Sequence, residues 1–282
     1  MNTQPVGNKV NAFGAALRTF LLFFCVLFSL RFLILLFHEG GHALGEFSRG
    51  NVTKLLYAHP FTFSGFARPI FTNNILNHAA GPVMMVLVPL LIFILLWKHR
   101  SAALLPFIMV FPWAAMEAGI NLIQIAQTGD YHNIIHLTGL SKEVFVIPCL
   151  VVSVFGCFFF LSLMPLLGLG PKDWRVLLLL PAAVIAWTGV SILVARLVVP
   201  GSPIDIVYHE GTMITQGASG IGPFDFLLLL FLGVIYLTLY RLIYPRIPSW
   251  LKSETALLTW KDLRLPALLA VVSVTFGLIF IT

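Results

Sequence analysis

An apolar run that is almost unbroken from Ala15 to Phe37 constrains this chain more than any other feature of its sequence. A helix needs about 20 apolar residues to cross the hydrocarbon core of a bilayer, and this run supplies them. The run is too long for the core of a signal peptide and lacks a small-residue cleavage site, so we expect an uncleaved first span. Because 59% of the chain is hydrophobic and only 10% is charged, a soluble domain is excluded.

Further apolar runs predict that the chain crosses the membrane repeatedly. We expect an all-α polytopic membrane protein of about seven transmembrane helices. It forms a single membrane domain over residues 1–282, with core helices at about 15–135 and additional C-terminal helices at about 143–282. After the first span we place the others at about 77–97, 102–126, 143–168, 175–199, 223–244 and 266–281.

Two connecting segments carry enough pattern for a structural prediction. Residues 46–74 mix aromatic residues with turn residues, which predicts a short β or re-entrant segment after the first span. The segment from Pro245 to Leu265 alternates tryptophans and leucines with Lys and Arg, which predicts a helix lying in the membrane interface.

The first predicted span ends in the sequence His38-Glu39-Gly40-Gly41-His42, an H-E-x-x-H zinc motif. Histidines four residues apart share one helix face, so both imidazoles can reach a single metal ion. Ionisable groups beside an apolar run are functional by default, which disfavours a mere helix cap. We therefore predict that His38 and His42 bind Zn²⁺ and that Glu39 is the general base for the metal-activated water.

Other residues near the motif also predict contacts. Arg31 lies two helical turns before His38 on the same face, so we expect it to point into the protein and pair with a buried acid. Each of Gly40 and Gly41 costs a helix about 1 kcal/mol relative to alanine. Such a pair beside a metal indicates that another backbone approaches closely, either an extended substrate segment or a neighbouring helix.

The distribution of Lys and Arg predicts an orientation. Most of these residues fall in segments on the same side as the N-terminus, whereas residues 200–222 contain none, so we expect a cytoplasmic N-terminus. The net charge of +6 has the same explanation, and no nucleic-acid partner is expected. In this topology His42, Gly81-Pro82 and Asp130 meet near one face of the bilayer.

These motifs resemble those of the site-2 protease family, zinc metalloproteases that cut substrates within the membrane. The zinc motif matches at His38 to His42, Ala80-Gly81-Pro82 resembles the family's glycine-proline turn, and Asn121 to Asp130 resembles its Asn…Asp-Gly segment. The resemblance implies that His38, His42 and Asp130 bind zinc, that Glu39 is the base and that Asn121 positions substrate. It also implies a membrane-protein substrate within the lipid bilayer.

The third zinc ligand is less well specified than the first two. Gly129 precedes Asp130, where the family usually has a glycine after the aspartate, so Glu46, His132 and His136 remain alternatives. Depth favours Asp130, because a span rising about 1.5 Å per residue brings it level with the histidines, whereas Glu117 lies roughly 20 Å deeper.

Other functions fit parts of the sequence. His38/His42 and His132/His136 are both H-x-x-x-H pairs, which a membrane di-iron oxygenase or desaturase would use, but the paired-histidine H-x-x-H-H boxes of that class are missing. An accessory subunit with a protease-like fold agrees with the lack of a substrate-selecting domain, and the intact Glu39 argues against it. A transporter would use buried charges such as Arg31 and Glu117.

Overall fold

The computed structural model describes residues 12–51, 55–58, 65–68, 74–124, 130–198, 205–209, 212–216, 234–235 and 237–279. The helices with described bounds are α1 (Ala12–Phe47), α2 (Ile75–Leu96), α3 (Leu105–Ile108), α4 (Val110–Gln124), α5 (Asp130–Thr138), α6 (Glu143–Leu163), α7 (Val176–Val198) and α8 (Arg264–Ile279). Residues 234–235 and 237–243 are also helical. The strands are β1 (Leu55–Ala58), β2 (Gly65–Arg68), β3 (Asp205–His209) and β4 (Thr212–Gln216). Short 3₁₀ turns occupy Trp97–His99, Ala102–Leu104, Met164–Leu167 and Tyr244–Arg246.

Within the described ranges, three helical segments are long and apolar enough to cross a membrane, namely Ala12–Phe47, Ile75–His99 and Glu143–Leu167. Shorter apolar helices cover Ala102–Glu117, Val176–Ser191 and Arg264–Phe276. The predominantly helical fold is therefore confirmed, and its long apolar helices are compatible with an integral membrane protein. The count of seven spans and the orientation of the N-terminus stay predictions.

Helix α1 contacts α2, α7 and α8 and forms much of the buried core. Several of its side chains are at most 1% exposed and recur at every fourth residue: Leu22, Val26, Leu30 and Ile34. Side chains four residues apart are displaced by about 40° around a helix, so they lie on nearly the same face. The same spacing continues to His38 and His42, so the face that buries α1 also places its histidines toward the neighbouring helices.

The buried cation of α1 has the acidic partner that the sequence predicted. Arg31 is 7% exposed, and its Nη1 donates to Glu117 Oε1 of α4 at 3.0 Å. The indole Nε1 of Trp113 donates to the same oxygen at 2.9 Å. Glu117 is thus held in an ion pair that links α1 to α4.

The third predicted span is not one continuous helix. The chain forms a 3₁₀ turn at Ala102–Leu104, then α3 and α4, which are separated at Met109. Pro106 and Pro112 lack a backbone N–H and so cannot close the helical hydrogen bonds at their positions. The third predicted span, at about 102–126, therefore contains this break; residues 125 and 126 lie outside the described residues, and the crossing itself stays a prediction.

The segment predicted as an interfacial helix consists of turns and irregular chain over residues 247–263, so that prediction was wrong. Pro248 cannot donate a helical hydrogen bond. Carbonyl and amide groups of the segment bond to other elements instead: Arg100 Nη2 donates to Lys252 O at 2.8 Å, and Ala256 N donates to Pro165 O at 2.9 Å.

Two antiparallel β-hairpins complete the described structure. Strand β1 pairs with β2 from Leu55↔Arg68 to Ala58↔Gly65, inside the segment for which short strands or a re-entrant loop were predicted. Strand β3 pairs with β4 from Asp205↔Gln216 to His209↔Thr212, where the sequence indicated only a loop. Entry of the β1–β2 hairpin into the bilayer stays a prediction.

Candidate metal centre

His38 and His42 lie one turn apart on α1 and point their Nε2 atoms at each other. The two nitrogens are 3.1 Å apart, and the rings meet edge to face with centroids 4.7 Å apart. The side chain of His42 is 3% exposed and that of His38 is 21% exposed. The site is therefore closed on the side of His42 and reachable on the side of His38.

Asp130, the residue at which α5 begins, joins the histidine pair. Its Oδ2 lies 3.1 Å from His38 Nε2 and 3.4 Å from His42 Nε2. A carboxylate in the first turn of a helix is stabilised by the unpaired N–H groups there. Burial would raise the pKa of the Asp130 carboxyl, but the neighbouring imidazoles of His38, His42 and His78 outweigh it and hold that pKa well below its ordinary range.

The three donor atoms could hold a metal ion, and their spacing is compatible with tetrahedral zinc. Ligand atoms bound at about 2.0–2.1 Å to a tetrahedral ion lie about 3.3 Å from one another. The observed separations of 3.1, 3.1 and 3.4 Å agree with three edges that bound one face of such a tetrahedron. Two histidines and one carboxylate also form the donor set of several catalytic zinc sites, which leave the fourth position to water.

The orientation of His42 is set by α2. His42 Nδ1 lies 2.7 Å from the carbonyl oxygen of Asn77, which can only accept a hydrogen bond. Nδ1 therefore carries the proton, and the lone pair of Nε2 faces His38 and Asp130. A backbone carbonyl behind a histidine is a common arrangement in metal sites, because it selects the tautomer that can bind the ion.

Close packing of α1 on α2 brings this carbonyl within reach. A Cβ added at Gly41 would lie 2.8 Å from the Ala80 carbonyl carbon and 2.9 Å from Gly81 Cα, and a Cβ added at Gly81 would lie 2.5 Å from Cε1 of the His42 ring. A Cβ added at Gly40, by contrast, would meet nothing within 4 Å among the residues that the structure describes. Helix packing therefore accounts for Gly41 but not for Gly40.

The predicted glycine-proline turn is not a turn. Gly81 and Pro82 both lie inside α2, and Gly81 serves as the contact surface for the His42 ring. Helices in membrane proteins tolerate internal proline, since neighbouring groups can satisfy the freed carbonyl.

Glu39 occupies the position expected of a base rather than of a ligand. It is 5% exposed and interacts electrostatically with His38, His42 and Asp130. Within the described part of the chain, no hydrogen-bond partner occupies its carboxyl. A buried carboxylate of this kind beside a metal ion can accept a proton from a water molecule.

The alternative ligands lie outside the cluster. Glu46 accepts hydrogen bonds from Asn51 Nδ2, at 2.6 Å, and from Asn77 Nδ2. His132 is half-buried and His136 is exposed on α5, and the group that could hold a metal among the described residues contains neither. Asn121 lies in α4, but its side chain is outside the described part of the structure, so its substrate-positioning role stays a prediction.

An apolar groove of about 330 Å³ lies between α2, α5 and the start of α6. Its lining includes Ala79, Val83, Val86, Tyr131, Ile134 and Phe145. Tyr131, which follows Asp130 in sequence, packs edge-on against Phe145 with ring centroids 5.8 Å apart. The groove lining contains none of the three candidate ligands and connects to the site through Tyr131.

Sequence reasoning missed the part played by Asn77 and His78. Asn77 is fully buried, and His78 Nδ1 lies 3.2 Å from Asp130 Oδ1. The available signal was the presence of two polar residues at the entry to an apolar span, immediately before a motif already assigned to the site.

Comparison of the chain with protein-family models, with curated proteins and with solved structures found no match. The function must therefore be inferred from the chemistry of the site itself. That chemistry consists of three ligand atoms from α1 and α5, a buried carboxylate beside them and an apolar groove lined in part by Tyr131.

Proposed function

We propose that this chain is an intramembrane zinc metalloprotease that hydrolyses peptide bonds in or near transmembrane segments of membrane proteins. The observation that carries the proposal is the meeting of His38, His42 and Asp130 beside the buried Glu39, at the end of the longest apolar helix. Three ligands with tetrahedral spacing and a separate carboxylate are the parts that metal-assisted peptide hydrolysis requires.

His38, His42 and Asp130 would hold the ion, and Asn77 O would keep His42 in its metal-binding tautomer. Bound zinc supplies a Lewis acid for the scissile carbonyl and lowers the pKa of water. Glu39 then accepts the proton of the attacking water and delivers it to the amine that leaves. Its short distance in sequence from both histidines keeps it beside the site without making it a ligand.

A peptide in a membrane helix has its carbonyls tied up in hydrogen bonds, so a protease must first hold it in an extended form. The β1–β2 hairpin lies against α1, and its free edge offers backbone groups to an added strand. This edge supports an extended substrate segment lying along the end of α1.

The proposal is tested on protein purified in detergent, by measuring zinc content and cleavage of a membrane-embedded reporter peptide. Glu39→Gln keeps the size of the side chain but cannot accept a proton, so we expect it to retain zinc and lose cleavage by about 10²- to 10⁴-fold. Glu254→Gln, the same change at an exposed glutamate, is the matched control and should leave both values unchanged.

Each outcome of this experiment has a definite meaning. Full cleavage by Glu39→Gln would remove Glu39 from its role as the base. A parent protein without zinc would contradict the metal centre, and a parent with zinc but without cleavage of any membrane-embedded peptide would favour an accessory subunit.

A further inference from the structure

His78 is a buried histidine that the proposed reaction does not use. It lies in the first turns of α2, is 6% exposed and belongs to neither the zinc motif nor the metal-holding group of described residues. A buried polar side chain at the entry to an apolar span carries a desolvation cost that its contacts must offset. Those contacts indicate its role.

The two oxygens of Asp130 have different partners. Oδ2 faces the nitrogens of His38 and His42, whereas Oδ1 lies 3.2 Å from His78 Nδ1. An ionised carboxylate can only accept hydrogen bonds, so His78 Nδ1 is the donor. Asn133 Nδ2, one turn further along α5, lies 3.4 Å from the same nitrogen, but both atoms are donors when Nδ1 bonds to Asp130, so this contact adds no hydrogen bond. The hydrogen bond from His78 to Oδ1 therefore holds the carboxylate in the orientation that turns Oδ2 toward the histidine pair.

Asn77 and His78 are adjacent in sequence and each holds a different ligand. The Asn77 carbonyl accepts from His42 Nδ1 on α1, and His78 donates to Asp130 on α5. The side chain of Asn74 caps this end of α2 by accepting from Asn77 N at 3.0 Å, which fixes the backbone that carries both residues. One turn of α2 thus contacts both of the elements that meet at the cluster.

We propose that His78 is the positioning residue for the metal ligand Asp130. It donates from Nδ1 to Oδ1 and so presets Oδ2 for the ion. This inference rests on the proposed metal centre and adds to it a residue outside the zinc motif. Removal of such a partner behind a metal ligand typically lowers metal affinity by about 10- to 100-fold, because the ligand is no longer held in its binding orientation.

The test uses the binding of Zn²⁺ and of Co²⁺ to the full-length protein in detergent, without any substrate. Asparagine can place its Nδ2 near the position of a histidine Nδ1, whereas glutamine reaches further and serine carries no nitrogen. We expect His78→Asn to stay within a few-fold of the parent, and His78→Gln and His78→Ser to bind Zn²⁺ about 10- to 100-fold more weakly. His99→Gln, the same change at an exposed histidine beyond the other end of α2, should match the parent.

The absorption bands of bound Co²⁺ separate positioning from ligation. A positioning role predicts that His78→Asn keeps the band pattern of the parent, whereas a histidine that binds the ion would change the pattern in every variant. Parent-like affinity in both His78→Gln and His78→Ser, or equal loss in His78→Asn and His78→Gln, would overturn the proposal. If either His78→Gln or His78→Ser fails to elute as the parent does, the other variant decides.

These readouts also separate this inference from the proposed function. If the parent binds zinc and cleaves a membrane-embedded peptide while the His78 variants bind zinc normally, only the role of His78 is wrong. If the parent binds zinc without cleaving any peptide, the protease proposal fails, and the Co²⁺ bands still decide the role of His78.

Discussion

Single residues decide which acid completes the metal cluster. Glu46 lies near the histidine pair in sequence, and Asp130 lies near it in space. Of these two acids, only Asp130 turns an oxygen toward both imidazoles. Glu46 is occupied by the amides of Asn51 and Asn77, although it follows His42 at the same spacing of four residues. The residue type was predictable from ligand chemistry, whereas the choice between the two acids depended on their hydrogen-bond partners.

At this scale, Asp130→Ala should lower zinc affinity by about one order of magnitude or more. It removes a ligand, which weakens a site more than loss of a supporting hydrogen bond does. Competition with a chelator of known affinity measures the change. His132→Ala and His136→Ala serve as controls on the same helix, and zinc loss in these two with none in Asp130→Ala would transfer the ligand role to α5 histidines.

At the scale of elements, the contact between α1 and α2 organises the site. The Gly41 Cα faces the Ala80–Gly81 backbone, and Gly81 lies against the His42 ring, so the absence of side chains at both positions brings the helices together. Gly45 continues this contact against Asn77. Small residues at helix interfaces allow such close backbone approach in membranes, where apolar side chains gain little by leaving lipid.

Adjacent glycines on α1 provide a matched pair for testing this contact. Gly41→Ala forces a methyl group into the Ala80–Gly81 backbone, and overpacking of this kind costs about 1–3 kcal/mol. Gly40→Ala meets no described residue within 4 Å and gains up to about 1 kcal/mol in helix propensity. We expect the Tm in detergent to fall for Gly41→Ala and to hold or rise for Gly40→Ala. An equal Tm for the two variants would show that the close contact contributes nothing to stability.

At the scale of the whole molecule, the ends of the helices lie in two separate groups. Thr19 Oγ1 near the start of α1 donates to Leu167 O after α6, and Arg100 beyond the end of α2 donates to Lys252 O, so these segments share one end. The end of α1, the start of α2 and the start of α5 form the other end, where the metal cluster lies. This arrangement agrees with the alternation of the long apolar helices that a membrane imposes.

The topology predicted from charge can be tested by labelling single cysteines in sealed vesicles. In a variant with alanine at Cys25, Cys149 and Cys157, Ser219→Cys in the 200–222 segment should react from the face opposite Lys98→Cys and Lys172→Cys. An impermeant maleimide, applied before and after the vesicles are opened, reports the face. Reaction of all three cysteines from one side would contradict the model of seven spans.

The sequence by itself determined the apolar helices, the membrane-compatible class and the position of the zinc motif at the end of α1. These properties depend on the length of apolar runs and on the spacing of residues within them, and both can be read directly from the sequence. It also indicated the buried partner of Arg31, because an isolated charge in an apolar helix needs one. Only the tertiary structure decided that Asp130 joins the histidine pair, that Asn77 and His78 stand behind the ligands, and that residues 247–263 form no helix. Those outcomes follow from glycine contacts, proline positions and hydrogen bonds between segments far apart in sequence. Such contacts depend on how the packed surfaces fit together, and this fit leaves no periodic pattern in the sequence.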